Sequence, residues 1–295
     1  MQPVLEDFQL YIASIRSAAT ADRYVYSADK FLQWLKESGY SLAMAPRAAV
    51  KDYCARMVQA GYLPSTINQQ MAGVKRFIDW SRMKDMEVPD FYPPELPKIN
   101  TKIKDILSPQ LFQEYFRLGG ELKEPSRTAV LLLPCSGLRA QELVSLPLNC
   151  LRRTDLQLSE GVQKQTLTVI VRSKGGNEKL VPLLDEGVEV VMAFLKGWRR
   201  KHKDTKWLFP GIDGHLSDRT LRAKVQKIRQ PLGMRFTPHT MRRTYLTSLY
   251  RKGVDPVVLA KIAGHKDVKT LVNHYLFLDE HDLAGAVHRS GGTLM

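Results

Sequence analysis

Six side chains in the 295-residue sequence have the types and order needed to open a phosphodiester bond: Arg139, Lys174, His239, Arg242, His265 and Tyr275. Two guanidiniums and a histidine can neutralise charge that develops on a phosphate, and a lysine can protonate a departing alkoxide. A second histidine can take the proton from a phenol, whose oxygen can attack phosphorus and form a covalent intermediate. Such an intermediate keeps the bond energy and favours rejoining over hydrolysis.

The first two motifs also allow ordinary interpretations. In GLRAQEL, a helix opened by Gly137 would place Arg139 and Glu142 on one face. The two side chains would form either a surface ion pair or a fork in which the carboxylate orients the guanidinium toward a phosphate. Lys174 lies in the hairpin segment SKGGN, where a lysine is usually solvated but could also reach into a DNA groove.

The later motifs are equally open when each is taken alone. His239 and Arg242 stand three residues apart at a helix start marked by Thr237-Pro238, although His239 could also serve as a capping or core histidine. A short helix from Asp255-Pro256 to Gly264 is followed directly by His265. Tyr275 falls on an apolar stripe of the next helix, so it is either a core residue or a nucleophile; the other members of the stripe are Val268, Leu271 and Val272.

The elements that must position these residues fall into two parts. Apolar residues recur at helical spacing through residues 4–82 and predict a small bundle of four helices. A proline-rich stretch follows, so the predicted organisation is a helical domain at 1–88, a linker at 89–105 and a second domain at 106–295.

The second domain is predicted to be mainly α with a small β-hairpin or sheet. Ser108 and Pro109 indicate a helix start, and a further helix runs through 128–133. The stretch QTLTVIVRS-KGGN-EKLVPL at 165–183 alternates as a β-hairpin does, and helical periodicity resumes from 186.

Charge and composition restrict the partner and the compartment. The net charge is +14, while residues 1–97 balance to zero, so residues 98–295 carry the whole excess and a polyanion partner is favoured over a merely solvated basic face. The three cysteines follow no metal or disulfide spacing, and no signal peptide or membrane span is evident, which predicts a cytoplasmic protein without membrane attachment. No metal-binding motif is present, and the chemistry above needs neither a metal nor another cofactor.

Taken together, GLRAQEL, SKGGNEKLVPL, HTMRR, AGHKDV and NHY resemble the ordered signatures of the tyrosine recombinase (phage integrase) family. Residues 1–97, including PSTINQQMAGVKRFIDW, resemble its helical, SAM-like core-binding domain, and residues 106–290 resemble its α+β catalytic domain. The resemblance implies that Arg139 and Arg242 bind the scissile phosphate and that His265 donates a hydrogen bond to a phosphate oxygen. It also implies that Glu142 is structural and orients Arg139.

The same resemblance assigns the proton transfers and the nucleophile. Lys174 would be the general acid for the 5′-hydroxyl leaving group, His239 an acid/base, and Tyr275 the residue that forms a 3′-phosphotyrosine. The departures are a ten-residue spacing from His265 to Tyr275, Arg243 where many relatives carry histidine, and the segment CSG before the first arginine. None of them removes a catalytic group.

The implied activity is site-specific recombination of double-stranded DNA at inverted-repeat core sites, in integration, excision or resolution. The role stays open among phage integration, resolution of a transposon or plasmid as a mobile element, and chromosome dimer resolution. Four protomers would exchange strands through a Holliday junction, whereas the free protein would be a monomer or weak dimer. The tail at 276–295 would pack on a neighbouring protomer or on its own domain. The alternatives are a relaxing enzyme resembling type IB topoisomerases and a catalytically silent DNA-binding accessory protein.

Overall fold

The computed structural model of the chain describes residues 2–46, 48–88, 95–96, 106–157, 163–172, 178–202, 204–212, 214–265 and 267–275. The chain divides into two compact units, Met1–Lys102 and Ile103–Met295. The predicted tail lies outside the described residues, and so does all of the predicted linker except 95 and 96.

The first unit contains the four helices that the sequence predicts, with ends within a few residues of the expected ones. They are α1 (Gln2–Ile15), α2 (Ala18–Glu37), α3 (Ala49–Gln59) and α4 (Pro64–Met83). Phe8, Phe31 and Phe77 come from three different helices and are completely buried at the centre. The rings of Phe8 and Phe77 meet edge to face, with their centroids 5.2 Å apart. These contacts form a hydrophobic core belonging to this unit alone.

Helices α2 and α4 approach each other closely at Gly73, where an added Cβ would overlap the Ser27 side chain. A buried polar network lies beside this crossing. The Ser27 hydroxyl donates to Gln70 Oε1 at 3.1 Å, and Gln70 Nε2 donates to the Tyr53 hydroxyl of α3 at 3.2 Å. The network fixes how three of the four helices pack, because a shift of any one of them would leave buried polar groups unpaired.

We predict that Gly73→Ala lowers the free energy of unfolding by about 1–3 kcal/mol, because the added methyl overpacks the crossing. The measurement is urea denaturation followed by circular dichroism. Gly120→Ala is the control, since Gly120 is also helical but has no heavy atom within 4 Å of the added Cβ. Equal stability of the two variants would contradict the tight crossing.

The second unit is built around one buried helix. Among its described residues, the α-helices are α5 (Pro109–Gly120), α6 (Ser126–Ser136), α7 (Ala140–Val144), α8 (Asp185–Lys196), α9 (Trp198–Lys201), α10 (Asp218–Leu232), α11 (Pro238–Arg251), α12 (Pro256–Ala263) and α13 (Val268–Tyr275). Every residue of α6 except Arg127 is buried, and α5, α8, α10 and α11 pack around it. The predicted helix start is confirmed, because the Ser108 hydroxyl accepts a hydrogen bond from the Leu111 amide at 3.3 Å.

A three-stranded antiparallel sheet lies in the second unit, in the order β1 (Leu151–Gln157), β2 (Gln163–Arg172) and β3 (Glu178–Pro182). The β2–β3 pair confirms the predicted hairpin. Strand β1 was not predicted, because its sequence LRRTDLQ is too polar to show an apolar alternation. A two-residue ribbon follows, formed by β4 (Pro210–Gly211) and β5 (Gly214–His215).

The fold class predicted from the sequence is confirmed: a helical first unit precedes a mainly helical second unit with a small antiparallel sheet. No helix within the described part of the chain is long and apolar enough to cross a bilayer.

Candidate active site

The segment that carries Arg139 is a sharp turn between two helices. Gly137 ends α6 in the left-handed conformation, with φ at +58°, and does not open a helix as the sequence suggested. A Cβ there would overlap the Tyr245 ring, whose hydroxyl donates to the Pro182 carbonyl at 2.6 Å. Glycine is therefore required both for the positive φ and for the close approach of the backbone to the ring.

Arg139 is the N-cap residue of α7, and its geometry is fixed by Glu142. The Arg139 amide donates to Glu142 Oε2 at 2.8 Å, and its guanidinium Nη1 donates to Glu142 Oε1 at 2.8 Å. The carboxylate thus caps the helix start and orients the arginine side chain in one arrangement. About a third of the Arg139 side chain stays exposed, at 38%, so the guanidinium can still meet a ligand.

Glu142 also binds charges from two more distant elements. Lys179 of β3 donates from Nζ to Glu142 Oε2 at 2.7 Å, and Nη1 of Arg242 lies 3.9 Å from the same oxygen. Burial alone would raise the pKa of Glu142, but Lys179 and Arg139 outweigh it and lower this pKa below its ordinary value. Glu142 is therefore ionised at neutral pH, and the Arg139 pair is part of a larger charge cluster.

Arg242 is buried, with 1% of its surface exposed. Its Nη1 donates to the Gly137 carbonyl at 2.7 Å and its Nη2 to the Ala263 carbonyl at 2.6 Å. Nη2 also lies 3.3 Å from His265 Nε2. The guanidinium therefore joins the end of α6, the end of α12 and the histidine that follows α12.

His265 is placed by the end of α12, as the sequence predicted. The Asp255 carboxylate caps the helix start by accepting from the Val257 amide at 2.7 Å, and Gly264 ends the helix with φ at +68°. Burial and the guanidiniums of Arg242 and Arg139 lower the pKa of His265 to about 4. The imidazole is therefore neutral at pH 7, and because a guanidinium can only donate, Nε2 accepts from Arg242.

His239 lies in the first turn of α11, which begins at the N-cap residue Thr237 as predicted. The side chain is exposed, but partial removal from water and the guanidiniums of Arg222 and Arg242 lower its pKa. A neutral imidazole is the form that can accept a proton, so the position and charge state both suit an acid/base.

Tyr275 and Lys174 are the two remaining predicted site residues. Tyr275 ends α13, and its side chain lies outside the described residues, as does Lys174. The predicted apolar stripe of α13 is not uniformly buried, because Leu271 is fully buried whereas 43% of Val272 is exposed.

The cluster opens into a groove of about 1270 Å³ between the sheet and α12. Its lining includes Arg139, Glu142, Lys179, Lys261 and His265. The whole lining carries five arginines and lysines against three carboxylates, those of Glu142, Asp155 and Glu178, so the groove favours an anion. Within the described ranges, no three His, Cys, Asp or Glu side chains gather where they could hold a metal ion.

Lys179 is the member of the cluster that sequence reasoning missed. Strand alternation carried the signal, because Lys179 and Val181 share one face of β3 and Val181 is buried. A lysine on the buried face of a strand requires a carboxylate partner.

Comparison with known proteins then decides the family. The model of the "Phage integrase family" matches residues 109–281, and that of the "Phage integrase, N-terminal SAM-like domain" matches residues 5–84. The chain belongs to the phage integrase family. It is a tyrosine recombinase, an enzyme that cuts and rejoins DNA through a tyrosine nucleophile.

Two curated relatives align with nearly the whole chain. Tyrosine recombinase XerD of Rhizobium meliloti is 23% identical over 96% of this chain and 94% of its own length, and XerD of Caulobacter vibrioides is 27% identical over 94% and 91%. Among solved structures, XerH recombinase bound to palindromic difH substrate is similar with a TM-score of 0.71 at 17% identity, over 90% of this chain and 78% of that one. A lambda integrase dimer bound to a core site is similar with a TM-score of 0.69 at 13% identity, over 95% and 96%. These structural likenesses concern the fold.

We predict that Glu142→Gln lowers the free energy of unfolding at pH 7 by about 2–4 kcal/mol, because it leaves buried cations without their carboxylate. The measurement is urea denaturation across pH. The folded-state pKa of Glu142 is lowered, so its contribution is complete above the unfolded pKa and is lost as pH falls through the folded value. The difference between wild type and variant should therefore shrink in acid.

The control for this variant is Glu114→Gln, which removes an exposed carboxylate that pairs with Arg117 on α5. It should leave the denaturation midpoint unchanged. Equal midpoints for Glu142→Gln and wild type at pH 7 would show that the cluster does not stabilise the fold.

Proposed function

We propose that this recombinase holds the scissile phosphate of DNA with Arg139, Arg242 and His265. The observation that supports the proposal is that Arg139 and Arg242, from distant segments, both lie beside the Glu142 carboxylate, and His265 lies 3.3 Å from Arg242. Two guanidiniums and a neutral imidazole can stabilise the charge that accumulates on the phosphate oxygens during attack. Glu142 orients Arg139 toward the phosphate.

The proposed reaction uses the remaining predicted residues. The Tyr275 oxygen attacks phosphorus, its phenolic proton passes to His239, and a phosphorus–oxygen bond to tyrosine forms. The bond to the 5′-oxygen breaks, and Lys174 protonates this leaving oxygen. The 5′-hydroxyl of a second strand then attacks the phosphotyrosine in the reverse sense, which releases the tyrosine. The support for Lys174 and Tyr275 comes from their sequence motifs.

We propose double-stranded DNA with inverted-repeat core sites as the substrate. The net charge of +14 supports a polyanion partner. The XerH structure is a complex with palindromic difH substrate, and lambda integrase is a dimer on a core site, which supports paired binding sites. A tetramer would exchange strands through a Holliday junction, with the tail at 276–295 packed on the neighbouring protomer. Its apolar residues in the sequence support this role.

We predict that Tyr275→Phe keeps DNA binding and loses covalent attachment, because only the nucleophilic oxygen is removed. The protein is incubated with end-labelled, nicked duplex fragments from the DNA that flanks its own gene, denatured with detergent and examined for labelled protein. Label on wild type alone is the expected result. Labelled Tyr275→Phe, or unlabelled wild type on every fragment that it binds, would contradict the proposed nucleophile.

We predict that Arg139→Ala slows covalent attachment by about 10²-fold or more while folding is retained. The rate is measured in a single turnover on the fragment that wild type cleaves. Arg117→Ala is the control, since Arg117 is an exposed arginine that pairs with Glu114 and Glu121 on α5. Equal rates for the two variants would exclude Arg139 as a phosphate ligand.

A further inference from the structure

Lys179 is a nearly buried lysine whose amine lies against the carboxylate that orients Arg139. Only 11% of its side chain is exposed. Its Nζ donates to Glu142 Oε2 at 2.7 Å, and the same oxygen accepts the Arg139 amide at 2.8 Å. The ammonium and the backbone amide therefore fix the position of one carboxylate oxygen from two sides.

The backbone and stem of Lys179 are held by neighbours on both sides. Strand pairing places Lys179 opposite Val171 of β2. On the other side, Gly264 presses against the stem so closely that an added Cβ would lie 2.8 Å from Lys179 Cδ. The side chain therefore has little freedom to leave Glu142, and the residue before His265 is part of the same contact.

We infer that Lys179 is a positioning residue for DNA cleavage, which acts by holding Glu142 so that the Arg139 guanidinium faces the phosphate. The inference rests on the proposed function of Arg139. In this arrangement Lys179 does not touch the phosphate, and its role differs from that of Lys174, which would transfer a proton to the leaving oxygen. The loss of Lys179 would leave Arg139 in place but without a fixed orientation.

The surroundings of Lys179 make its charge depend on pH near neutrality. It faces Arg139 and Glu142 at the start of α7, Arg242 of α11, and Lys261 and His265 at the end of α12. Burial, reinforced by the two guanidiniums and opposed by Glu142, lowers the pKa of Lys179 to about 8. The ammonium form that donates to Glu142 is therefore present below this pH and is lost above it.

The first test uses the protein alone. Hydrogen exchange of the Arg139 amide, measured by nuclear magnetic resonance, reports whether Glu142 stays in place, because this amide donates to Glu142 Oε2. We expect Lys179→Met to speed exchange about tenfold, Lys179→Arg to restore protection, and wild type to lose protection above pH 8 after correction for intrinsic exchange. Unchanged protection in Lys179→Met would overturn the inference.

The second test measures single-turnover cleavage of a flanking DNA fragment that carries a 5′-thiolate leaving group, which needs no general acid. Wild type should slow as pH rises through about 8, and Lys179→Arg should not, because a guanidinium stays charged. Lys179→Met should cleave about 10²-fold more slowly than wild type at pH 7. The double variant, which carries both Lys179→Met and Glu142→Gln, should cleave no more slowly than Glu142→Gln alone. Lys164→Met is the control, since Lys164 of β2 is an exposed lysine bonded to Asp185 at 2.6 Å.

The outcomes separate the two proposals. Wild type that forms no Tyr275-dependent adduct contradicts the proposed function, while the amide exchange still decides the position of Glu142. If wild type cleaves and the rate losses of Lys179→Met and Glu142→Gln add in the double variant, the inference is overturned. Lys179 would then act directly on the substrate or through its charge alone.

Discussion

The repulsion among three cations that must lie together is the constraint on which the catalytic unit depends. Arg139, Lys179 and Arg242 come from a helix start, a strand and a second helix, and each lies within 4 Å of the Glu142 carboxylate. Like charges at such separations in a partly dry site would drive these elements apart. The negative charge of the Glu142 carboxylate offsets the repulsion among the three cations. One carboxylate against three cations still leaves a net positive charge, which favours an anionic substrate.

Backbone carbonyls also offset the buried positive charge. The buried guanidinium of Arg242 donates to carbonyls at the ends of α6 and α12, where helical carbonyls lack intrahelical partners and the helix dipole is negative. His239 and Arg139 use the opposite ends of helices, near the first turn. Arg139, His239 and His265 therefore lie at helix ends, where both local charge and unpaired backbone groups are already present.

Most of the fold was predictable because its signals are local. Helical periodicity, the Ser108, Thr237 and Asp255 caps, and the β2–β3 hairpin each depend on a few neighbouring residues. Strand β1 escaped prediction because its pairing with β2, and not its own composition, holds it in the sheet. The role of Gly137 was mistaken for a similar reason, since the ring that requires glycine belongs to Tyr245, more than a hundred residues later.

The candidate site shows the same division. Arg139, His239, Arg242 and His265 could be selected as candidates from their chemistry and order, and the structure places Arg139 and Arg242 beside Glu142 and His265 against Arg242. Lys179 could not be selected by type alone, because the chain has many lysines and its distinction is burial against a distant carboxylate. The charge states of His265 and Lys179 likewise depend on tertiary contacts and cannot be derived from spacing.

The two carbonyl partners of Arg242 have a consequence for the order in which the molecule is made. Gly137 is synthesised early in the catalytic unit, whereas Ala263 comes after Arg242 itself. A ribosome-bound or truncated chain that ends before α12 therefore lacks part of what holds this guanidinium, although the helical first unit, with its own core, is already complete. The buried guanidinium of Arg242 therefore gains its second backbone partner only after α12 has been synthesised.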